Sequence, residues 1–360
     1  MAKSSTTRIL DAAMNRTNEG LRVIEDFVRF VLNDEHLTTL LKQLRHQLGV
    51  ASTTLPAAVR HAARDTPCDV GTHITTINET TRADNWDVCR ASCERVKQSL
   101  RSLEEYSKIS SPDLATKLEA IRYQFYTIER SLTSTYTNCL NFQDTHFCTL
   151  IDGRDSIEAF SELVRQLLDA GVPMVQLRDK KLSDALLLER AKILVKLVRN
   201  HTSTPPPDSP HVSNTLVLVN DRADIAAAAD ADGVHVGQED LSVHDARSIV
   251  GPHKLIGVST HTLEQARTAV LAGANYLGAG PTFHSTTKVF EEFPGLELLR
   301  LLATEIRLPT FAIGGINAKN LPEVLATGTQ RIAGSGAVAS AKCPAEVARG
   351  FLKTLSNLPY

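Results

Sequence analysis

The sequence predicts an α/β protein in which a C-terminal (β/α)8 TIM barrel is preceded by a mainly α-helical N-terminal domain. The chain has 360 residues, which corresponds to about two domains at roughly 100–200 residues each. Helical periodicity dominates the first part of the chain, and short apolar runs then alternate with amphipathic segments. Such alternation indicates a parallel sheet, and eight units of this kind indicate a closed barrel. We therefore place the domains at residues 1–140 and 141–360.

The N-terminal half is predicted to consist of helices separated by one polar segment. Apolar residues recur at helical spacing in four stretches, at about 8–31, 34–49, 87–108 and 112–133. Residues 64–82 are rich in Thr, Asp, Gly and Pro, which is typical of a loop. The run NRTNEGLRVIEDF at 15–27 is matched by ERVKQSLRSLEEY at 94–106, with an offset of 79 residues throughout. This match favours a duplicated helical unit, although two amphipathic helices with solvated ion pairs also explain each charge taken singly.

The C-terminal half contains eight apolar runs that we interpret as strands. They lie at 146–152, 173–179, 215–221, 232–237, 254–259, 275–280, 309–315 and 330–336. The intervening helices are predicted at 156–170, 183–200, 222–229, 242–250, 262–272, 295–306, 318–327 and 344–356. Asp155 and Thr262 stand three residues before Glu158 and Gln265, which is the spacing of a capping box. A Pro- and Ser-rich insertion at 201–214 is expected to be a dispensable surface loop.

A doubly wound open sheet is the alternative to the barrel. The chain contains neither GxGxxG nor GxxxxGK(S/T), the usual phosphate-binding loops of such sheets. The closed barrel is therefore favoured.

Composition excludes several classes of protein. Lys plus Arg number 39 and Asp plus Glu number 41, a formal net charge of −2, so we predict no nucleic-acid partner and no membrane partner. No apolar run approaches the ~20 residues that cross a bilayer, and the N-terminus lacks the apolar core of a secretory signal. The six cysteines show no CxxC spacing and are expected to be reduced, as in a cytoplasmic protein.

The ends of the predicted strands carry the residues with catalytic potential, because a (β/α)8 barrel builds its active site there. Arg178 and Lys180 are cations at the end of strand two, and Lys288 is a cation after strand six. Asp221 and Asp240 are hard oxygen donors, suited to Mg²⁺ that is held partly by a substrate phosphate. Glycines after strands seven and eight offer backbone N–H groups where such barrels often bind a phosphate monoester. The pattern predicts a site for two anionic substrates, a Mg²⁺-chelated polyphosphate and a monophosphate.

Each of these groups also has a purely structural explanation. A Gln-x-Arg at a strand end is usually an ion-pair partner, and an Asn-Asp before a helix is more often an N-cap than a metal ligand. Asp240, Ser259 and Thr262 could likewise cap helices. Compatible chemistry at all the strand ends favours the functional interpretation. Three histidines lie near these ends without a partner carboxylate that spacing would identify, and we assign them supporting roles at most: His235, His261 and His284.

The barrel half resembles thiamine-phosphate synthase. The motifs that carry the resemblance are QLRDK, NDR, GVHVGQEDL, GVSTHT, YLGAGPTFHSTTK and FAIGGI, in this order within residues 145–355. Members of that family are (β/α)8 barrels that join hydroxymethylpyrimidine diphosphate to a thiazole phosphate, giving thiamine phosphate and releasing pyrophosphate by a dissociative mechanism. The resemblance implies a Mg²⁺-dependent transferase of thiamine biosynthesis.

The family's functional residues can be carried over position by position. The resemblance implies catalytic roles for Arg178, Lys180, Ser259 and Lys288, and Mg²⁺ binding by Asp221 and Asp240. The residues implied to hold the pyrimidine diphosphate are Gln176, Arg178, Lys180, Asn220, Ser259 and Lys288. Those implied to lie at the thiazole phosphate are Ser285, Thr287, Gly315, Ser335 and Gly336.

Two positions depart from the family's pattern. The family usually has Thr where Ser285 stands, and this exchange keeps the hydroxyl. The family's eighth strand usually ends in Val-Ile/Val-Ser, where this chain has Gly334-Ser335-Gly336. The phosphate contact at that strand would then come from backbone N–H groups or from the Ser335 hydroxyl.

The N-terminal half resembles a helical domain that is fused ahead of this synthase in some bacteria. The segments that carry the resemblance are RILDAAMNRTNEGLRVIEDFVRF, RDTPCDVGT and RVKQSLRSLEEYSK. That domain is associated with phosphorylation of hydroxymethylpyrimidine phosphate, so the resemblance implies a multifunctional chain. The residues themselves contain no P-loop. Two polar clusters could bind phosphate and metal or could equally pair helices; they are Asn15, Arg16, Glu19 and Arg22, and Arg64, Asp65, Asp69, Gly71 and Thr72.

Other functions stay open at this point. One is a non-catalytic sensor of a phosphate ligand, against which the retained cations and carboxylates argue. Another is a different phosphate-binding barrel enzyme, such as a sugar-phosphate isomerase or an aldolase. An aldolase needs a Schiff-base lysine, and Lys180 and Lys288 stand beside other anion-binding groups. The expected partners are small-molecule substrates, and the oligomeric state is left open, a homo-oligomer included.

Overall fold

The computed structural model describes residues 2–73, 81–203, 215–283 and 294–356. The chain divides into two compact units, Met1–Thr133 and Ser134–Tyr360. Each unit is described by itself below.

The N-terminal unit is helical in the residues that the structure describes. Its elements are α1 (Ala2–Phe27), a π-helical turn (Val28–Leu32), α2 (Glu35–Ser52), α3 (Ala57–Ala62), a 3-10 turn (Val70–His73), α4 (Asn85–Ser107) and α5 (Pro112–Asn141). Asp34 and Asp84 begin α2 and α4, because each side chain accepts a hydrogen bond from a backbone N–H three residues on. The four helices predicted from periodicity are confirmed. The short α3 and the 3-10 turn were not predicted.

The internal repeat is visible in how α1 packs against α4. The Thr17 hydroxyl donates to Ser99 Oγ at 2.8 Å. A Cβ on Gly20 would lie 2.6 Å from Val96 Cγ2, so the helices approach closely at this point. Thr17 and Val96 are 79 residues apart, as are Gly20 and Ser99. The two contacts therefore exchange under the repeat, which is the signature of a two-fold relation between α1 and α4.

The repeat extends to the helices that follow. With an offset of 77 residues, α2 aligns with the first part of α5, and all the apolar core positions match. The buried pairs are Leu37 and Leu114, Leu41 and Leu118, Leu44 and Ile121, Leu48 and Phe125, and Ala51 and Ile128. The offset falls by two residues across the connection that contains the π-helical turn, so the first copy has the longer connection. The N-terminal unit is thus a duplicated helical hairpin.

The C-terminal unit is a closed barrel of eight parallel strands in sequential order. The strands are β1 (Phe147–Ile151), β2 (Met174–Leu177), β3 (Leu216–Asn220), β4 (Gly233–Val236), β5 (Leu255–Thr260), β6 (Tyr276–Ala279), β7 (Thr310–Ile313) and β8 (Ile332–Gly334). The helices are α6 (Ile157–Asp169), α7 (Asp184–Ser203), α8 (Ala223–Ala228), α9 (Val243–Val250), α10 (Leu263–Ala272), α11 (Gly295–Glu305), α12 (Leu321–Leu325), α13 (Gly336–Ala339) and α14 (Pro344–Leu355). The predicted barrel is confirmed.

The predicted cap of α6 needs correction. The N-cap of α6 is Ser156, whose side chain accepts from Ala159 N, and Asp155 is not the cap. Thr262 does cap α10, as predicted. Of the predicted insertion at 201–214, residues 204–214 lie outside the described residues.

The barrel core joins apolar side chains from several strands to the segment that precedes β1. Phe142 is fully buried and packs against the rings of Tyr276 and Phe311, with centroids 5.7 and 6.0 Å away. Ser134 Oγ donates to the carbonyl of Ala274, just before β6. Residues 134–142 therefore cover the N-terminal end of the barrel, opposite the end where barrel enzymes carry their active sites.

Candidate active site

The parallel strands bring eight strand ends to one mouth of the barrel. Among the predicted site residues, Gln176 is in β2, and Arg178 and Lys180 follow it. Asn220 ends β3, and Ser259 is in β5. These residues come from separate parts of the chain and share one end of the barrel only because it closes.

Two carboxylates lie together at this mouth. Asp221 directly follows β3 and adopts a left-handed backbone conformation (φ 60°), which Asp tolerates better than most residues. Its N–H donates to the carbonyl of His235 at 2.7 Å, which ties the turn to β4. Burial and the adjacent carboxylate of Asp240 raise the pKa of Asp221 above its usual value. Lys180 acts against this rise, with its Nζ 3.3 Å from Asp221 Oδ2.

Neither carboxylate is a helix cap. The N-cap of α8 is Arg222, and the N-cap of α9 is Ser242. Asp240 instead accepts a hydrogen bond from the N–H of Gly237 at 2.7 Å. The capping explanation for Asp221 and Asp240 is therefore wrong. The alternative interpretation of these two carboxylates is that they bind a metal ion.

The donor set of this pair fits Mg²⁺. Within the described ranges, no group of three or more His, Cys, Asp or Glu side chains is placed to hold a metal ion. Mg²⁺ does not need such a group, because it is commonly bound by one or two carboxylates together with substrate phosphates and water. A cation would also relieve the repulsion that raises the pKa of Asp221. Asp221 and Asp240 would be the residues that hold it.

A buried hydrogen-bonded chain positions Ser259. His235 Nε2 lies 2.9 Å from Ser259 Oγ, and His235 Nδ1 lies 2.9 Å from the hydroxyl of Tyr276. Burial raises the pKa of Tyr276, and the Gln176 side chain acts against this rise. Burial lowers the pKa of His235 to about 4, and the charge of Arg178 adds to the effect. His235 is therefore neutral at neutral pH and serves to orient its neighbours.

Tyr276 occupies the barrel interior because a glycine faces it. A Cβ on Gly257 would lie 2.0 Å from Cζ of Tyr276, so a larger residue in β5 would displace the ring. Tyr276 was not singled out from the sequence. The signal that could have found it is the pairing of a polar aromatic residue at the start of one strand with a glycine inside the neighbouring strand.

The loop after β2 is held by Asp179, which sequence reasoning also missed. Its carboxylate accepts hydrogen bonds from the N–H groups of Gly153, Lys181 and Leu182, at 3.0, 2.7 and 3.1 Å. These bonds lower the pKa of Asp179 against the effect of burial. Asp179 therefore fixes the loop that presents Arg178 and Lys180.

The opposite side of the mouth carries the glycine-rich strand ends. Gly314 and Gly315 follow β7 with φ 104° and 66°, a region that glycine adopts readily. Gly315 is exposed, as are Ser335 and Gly336 after β8. Backbone groups are thus accessible at both strand ends.

The segment after β6 carries four of the residues that the sequence analysis named, and His261 follows β5. Ser285, Thr287, Lys288 and His284 lie outside the described residues. His261 contacts the carbonyl of Gly280 through Nδ1.

In the N-terminal unit the two predicted polar clusters do not form compact sites. Arg64 pairs with the buried carboxylate of Asp11, and Asp69 closes a turn onto the N–H of Gly71. Asn15, Arg16 and Glu19 are exposed on α1, and Arg22 approaches the buried Glu25. The pair of Arg64 with Asp11 joins separate elements, as the helix-pairing explanation expects. The side chain of Thr72 lies outside the description.

All six cysteines are thiols rather than disulfides. In the parts of the chain that the structure describes, no helix is both long enough and apolar enough to span a bilayer.

The fold and the mouth define the class of the C-terminal unit: a (β/α)8-barrel enzyme with carboxylates and cations at its catalytic end. Comparison with known proteins then narrows this class. The family model for thiamine monophosphate synthase matches residues 147–338, and the model for the ThiD2 family matches residues 8–131.

Individual relatives agree with the family models. Thiamine-phosphate synthase from Rhodopirellula baltica is 40% identical, over 99% of this chain and 95% of its own length. The enzyme of the same name from a Synechocystis species is 37% identical, over 99% of this chain and 98% of its own. The solved thiamine phosphate pyrophosphorylase from Pyrococcus furiosus is 34% identical with a TM-score of 0.50, covering 59% of this chain and 96% of that one. The chain belongs to the thiamine-phosphate synthase family, and it is a transferase.

Proposed function

We propose that the barrel makes thiamine phosphate at the C-terminal ends of its strands, with Asp221 and Asp240 as Mg²⁺ ligands and with Arg178 and Lys180 on the leaving pyrophosphate. The observation that carries this proposal is the cluster of Asp221, Asp240 and Lys180, in which burial and like charge raise the pKa of one carboxylate. Such a cluster is stabilised by a bound cation and a bound polyanion together.

The chemistry requires charge stabilisation more than proton transfer. The thiazole nitrogen is already a nucleophile, so no strong base is needed. The pyrophosphate gains negative charge as its bond to the pyrimidine methylene breaks, and Arg178, Lys180 and Lys288 stabilise that charge. Mg²⁺, when bound, supplies further positive charge to the leaving group. A neutral His235 is consistent with this chemistry, because it can orient the Ser259 hydroxyl without adding charge.

The two substrates occupy opposite sides of the mouth in this proposal. Gln176, Asn220 and Ser259 hold the pyrimidine diphosphate. Gly315, Ser335 and Gly336 hold the thiazole phosphate, chiefly through backbone N–H groups, with Ser285 and Thr287 beside them. The exposed glycine-rich ends of β7 and β8 support this assignment, because a phosphate needs close access to the backbone.

We further propose that the N-terminal domain phosphorylates hydroxymethylpyrimidine phosphate and so makes the diphosphate that the barrel consumes. The match of residues 8–131 to the ThiD2 family supports this assignment. With domains at 1–140 and 141–360, one chain would catalyse two successive steps. The reduced cysteines fit a cytoplasmic location.

One assay tests both activities. The purified chain is incubated with hydroxymethylpyrimidine monophosphate, ATP, Mg²⁺ and thiazole phosphate, and thiamine phosphate is measured. Product from the monophosphate requires both activities. Product only when the diphosphate is supplied would contradict the N-terminal proposal and leave the barrel proposal standing.

The metal assignment has its own test. Asp221→Ala and Asp240→Ala are each expected to reduce turnover severely and to weaken its dependence on Mg²⁺, with the fold intact. Two variants that turn over like the unaltered chain at low Mg²⁺ would show that the assignment is wrong.

A further inference from the structure

The N-terminal unit contains a cationic cavity that the synthase reaction does not use. The cavity has a volume of about 700 Å³ and lies between α1, the π-helical turn and α2. Four cations line it, Arg22, Arg29, Lys42 and Arg45, against one carboxylate, that of Glu25. Among the described residues, no carboxylate pairs with Lys42. The cavity therefore has an excess of positive charge.

The buried carboxylate in this cavity is incompletely satisfied. Glu25 is fully buried and pairs with Arg45 through Oε2. Its Oε1 is buried and has no hydrogen-bond partner. The nearest guanidinium nitrogens, from Arg22 and Arg29, stand 3.6 and 3.7 Å away. A buried oxygen without a partner is unfavourable by itself and is a position for a ligand's donor.

The second copy of the repeat shows what the satisfied arrangement looks like. Glu104 corresponds to Glu25, and Arg101 and Arg122 correspond to Arg22 and Arg45. Arg101 Nη1 lies 2.8 Å from Glu104 Oε1, and Arg122 Nε lies 2.7 Å from Oε2. Both oxygens are therefore bonded in the second copy. In the first copy, Arg22 and Arg29 stand beyond hydrogen-bond distance of Glu25 Oε1, so their guanidinium groups remain available to a ligand.

A side chain of the second copy also occupies the space that is empty in the first copy. Gly49 in α2 corresponds to Tyr126 in α5, and a Cβ on Gly49 would meet nothing within 4 Å. The guanidinium of Arg122 lies 5.5 Å from the ring of Tyr126, so this aromatic side chain covers the second cluster. Lys42 corresponds to Glu119, which reverses the charge. Two differences between matched helices thus open the first copy and make it cationic.

We propose that this cavity binds the phosphate group of a phosphate ester, with a neutral donor of the same ligand reaching Glu25. Paired guanidinium groups and a lysine are the side chains that recognise phosphate best. The proposal rests on the proposed N-terminal activity, and it assigns that activity a substrate site on the first copy of the repeat. Two ligands share the required chemistry, hydroxymethylpyrimidine monophosphate and ATP.

The test uses variants that make the first copy resemble the second. Lys42→Glu introduces the charge of Glu119, and Gly49→Tyr introduces the ring of Tyr126. Both positions are exposed on α2, so the helix can form in each variant. Lys117→Glu makes the same change of charge at an exposed position of α5, and it is the matched control. Circular dichroism confirms that each full-length variant is folded.

Binding of each ligand to the full chain is measured by calorimetry and located by hydrogen exchange. We expect at least one of the two ligands to slow amide exchange in residues 28–53. We expect its Kd to rise about tenfold or more in Lys42→Glu and in Gly49→Tyr, which corresponds to ~1.4 kcal/mol. Lys117→Glu should bind like the unaltered chain. The ligand that shows this pattern identifies the source of the phosphate.

The outcomes separate this proposal from the proposed activity. If the chain phosphorylates the monophosphate and both variants bind and turn over both ligands normally, the cavity assignment is wrong and the activity stands. If a phosphate ester binds in a way that depends on Lys42 and Gly49 but no phosphorylation occurs, the cavity assignment stands and the activity is wrong. If neither ligand protects residues 28–53, the cavity assignment is also wrong.

Discussion

Replacing Asp221 with Asn separates stability from function at the barrel mouth. The structure places the Asp221 carboxylate beside Asp240, and burial and this neighbour raise its pKa. The folded protein therefore binds a proton at Asp221 more readily than the unfolded chain does. Its stability falls as pH rises from the unfolded pKa to the raised folded pKa, and the full destabilisation is present above the folded pKa. Asp221→Asn should remove it.

The size of the effect follows from the geometry. Two adjacent carboxylates repel by up to ~4 kcal/mol at an effective dielectric constant of about 20. Lys180 offsets part of this repulsion, and the 26% exposure of the Asp221 side chain screens more of it. We expect Asp221→Asn to stabilise the chelator-treated protein by about 1 kcal/mol. For a domain of 150–250 residues this is a rise in Tm of about 2–4 °C.

The assay is thermal unfolding with a chelator and with Mg²⁺, alongside turnover from the diphosphate substrate. We expect Asp221→Asn to unfold at a higher temperature with the chelator, to gain less from Mg²⁺, and to lose most turnover. Asp224→Asn is the matched control, because Arg222 pairs with that carboxylate and holds its pKa below the usual value. It should not raise Tm. A lower Tm for Asp221→Asn with the chelator, or undiminished Mg²⁺-dependent turnover, would refute the reasoning.

Three further predictions concern the same unit. Tyr276→Phe leaves His235 Nδ1 without its hydrogen-bond partner at 2.9 Å. The free energy of unfolding should therefore fall by about 1–3 kcal/mol, and kcat/KM should fall with it. Unchanged unfolding and kinetics would contradict this prediction. Lys288→Met should slow the chemical step roughly 10²-fold in single-turnover experiments with little change in affinity, whereas a raised KM with an unchanged rate would mean that the lysine only recruits substrate. The fragment 134–360 should fold and retain synthase activity. The shorter fragment 141–360 should unfold at a lower temperature, because it loses the segment that covers the N-terminal end of the barrel. A well-folded but inactive 134–360 would show that the barrel alone is not sufficient for synthase activity.

Local pattern was sufficient to predict most secondary structure. All eight strands lie within one or two residues of the predicted runs, because a strand buried on both faces is apolar throughout and polar residues mark its ends. The short α3, α12 and α13 were missed or misjudged in length, because four to six residues carry too little periodicity. The cap of α6 was misassigned because two adjacent residues, Asp155 and Ser156, can both accept the capping hydrogen bond.

Contacts across the barrel could not be predicted in the same way. Tyr276 and His235 are 41 residues apart, and their hydrogen bond depends on the register of three adjoining strands and on the space above Gly257. The approach of Asp240 to Asp221 depends on two separate loops. No local periodicity encodes such distances, so the candidate residues were known from the sequence but their partners were not.

The sequence by itself determined the order of the elements, the barrel and the repeat between α1 and α4, because burial imposes a period on each helix or strand wherever it packs. Tertiary structure decided which side chains meet. It placed a neutral histidine behind Ser259, and it left one oxygen of Glu25 without a partner while both oxygens of Glu104 are bonded. The two matched glutamates occupy equivalent positions in the repeat. What differs is the space and charge contributed by a neighbouring helix, and only packing in three dimensions sets these.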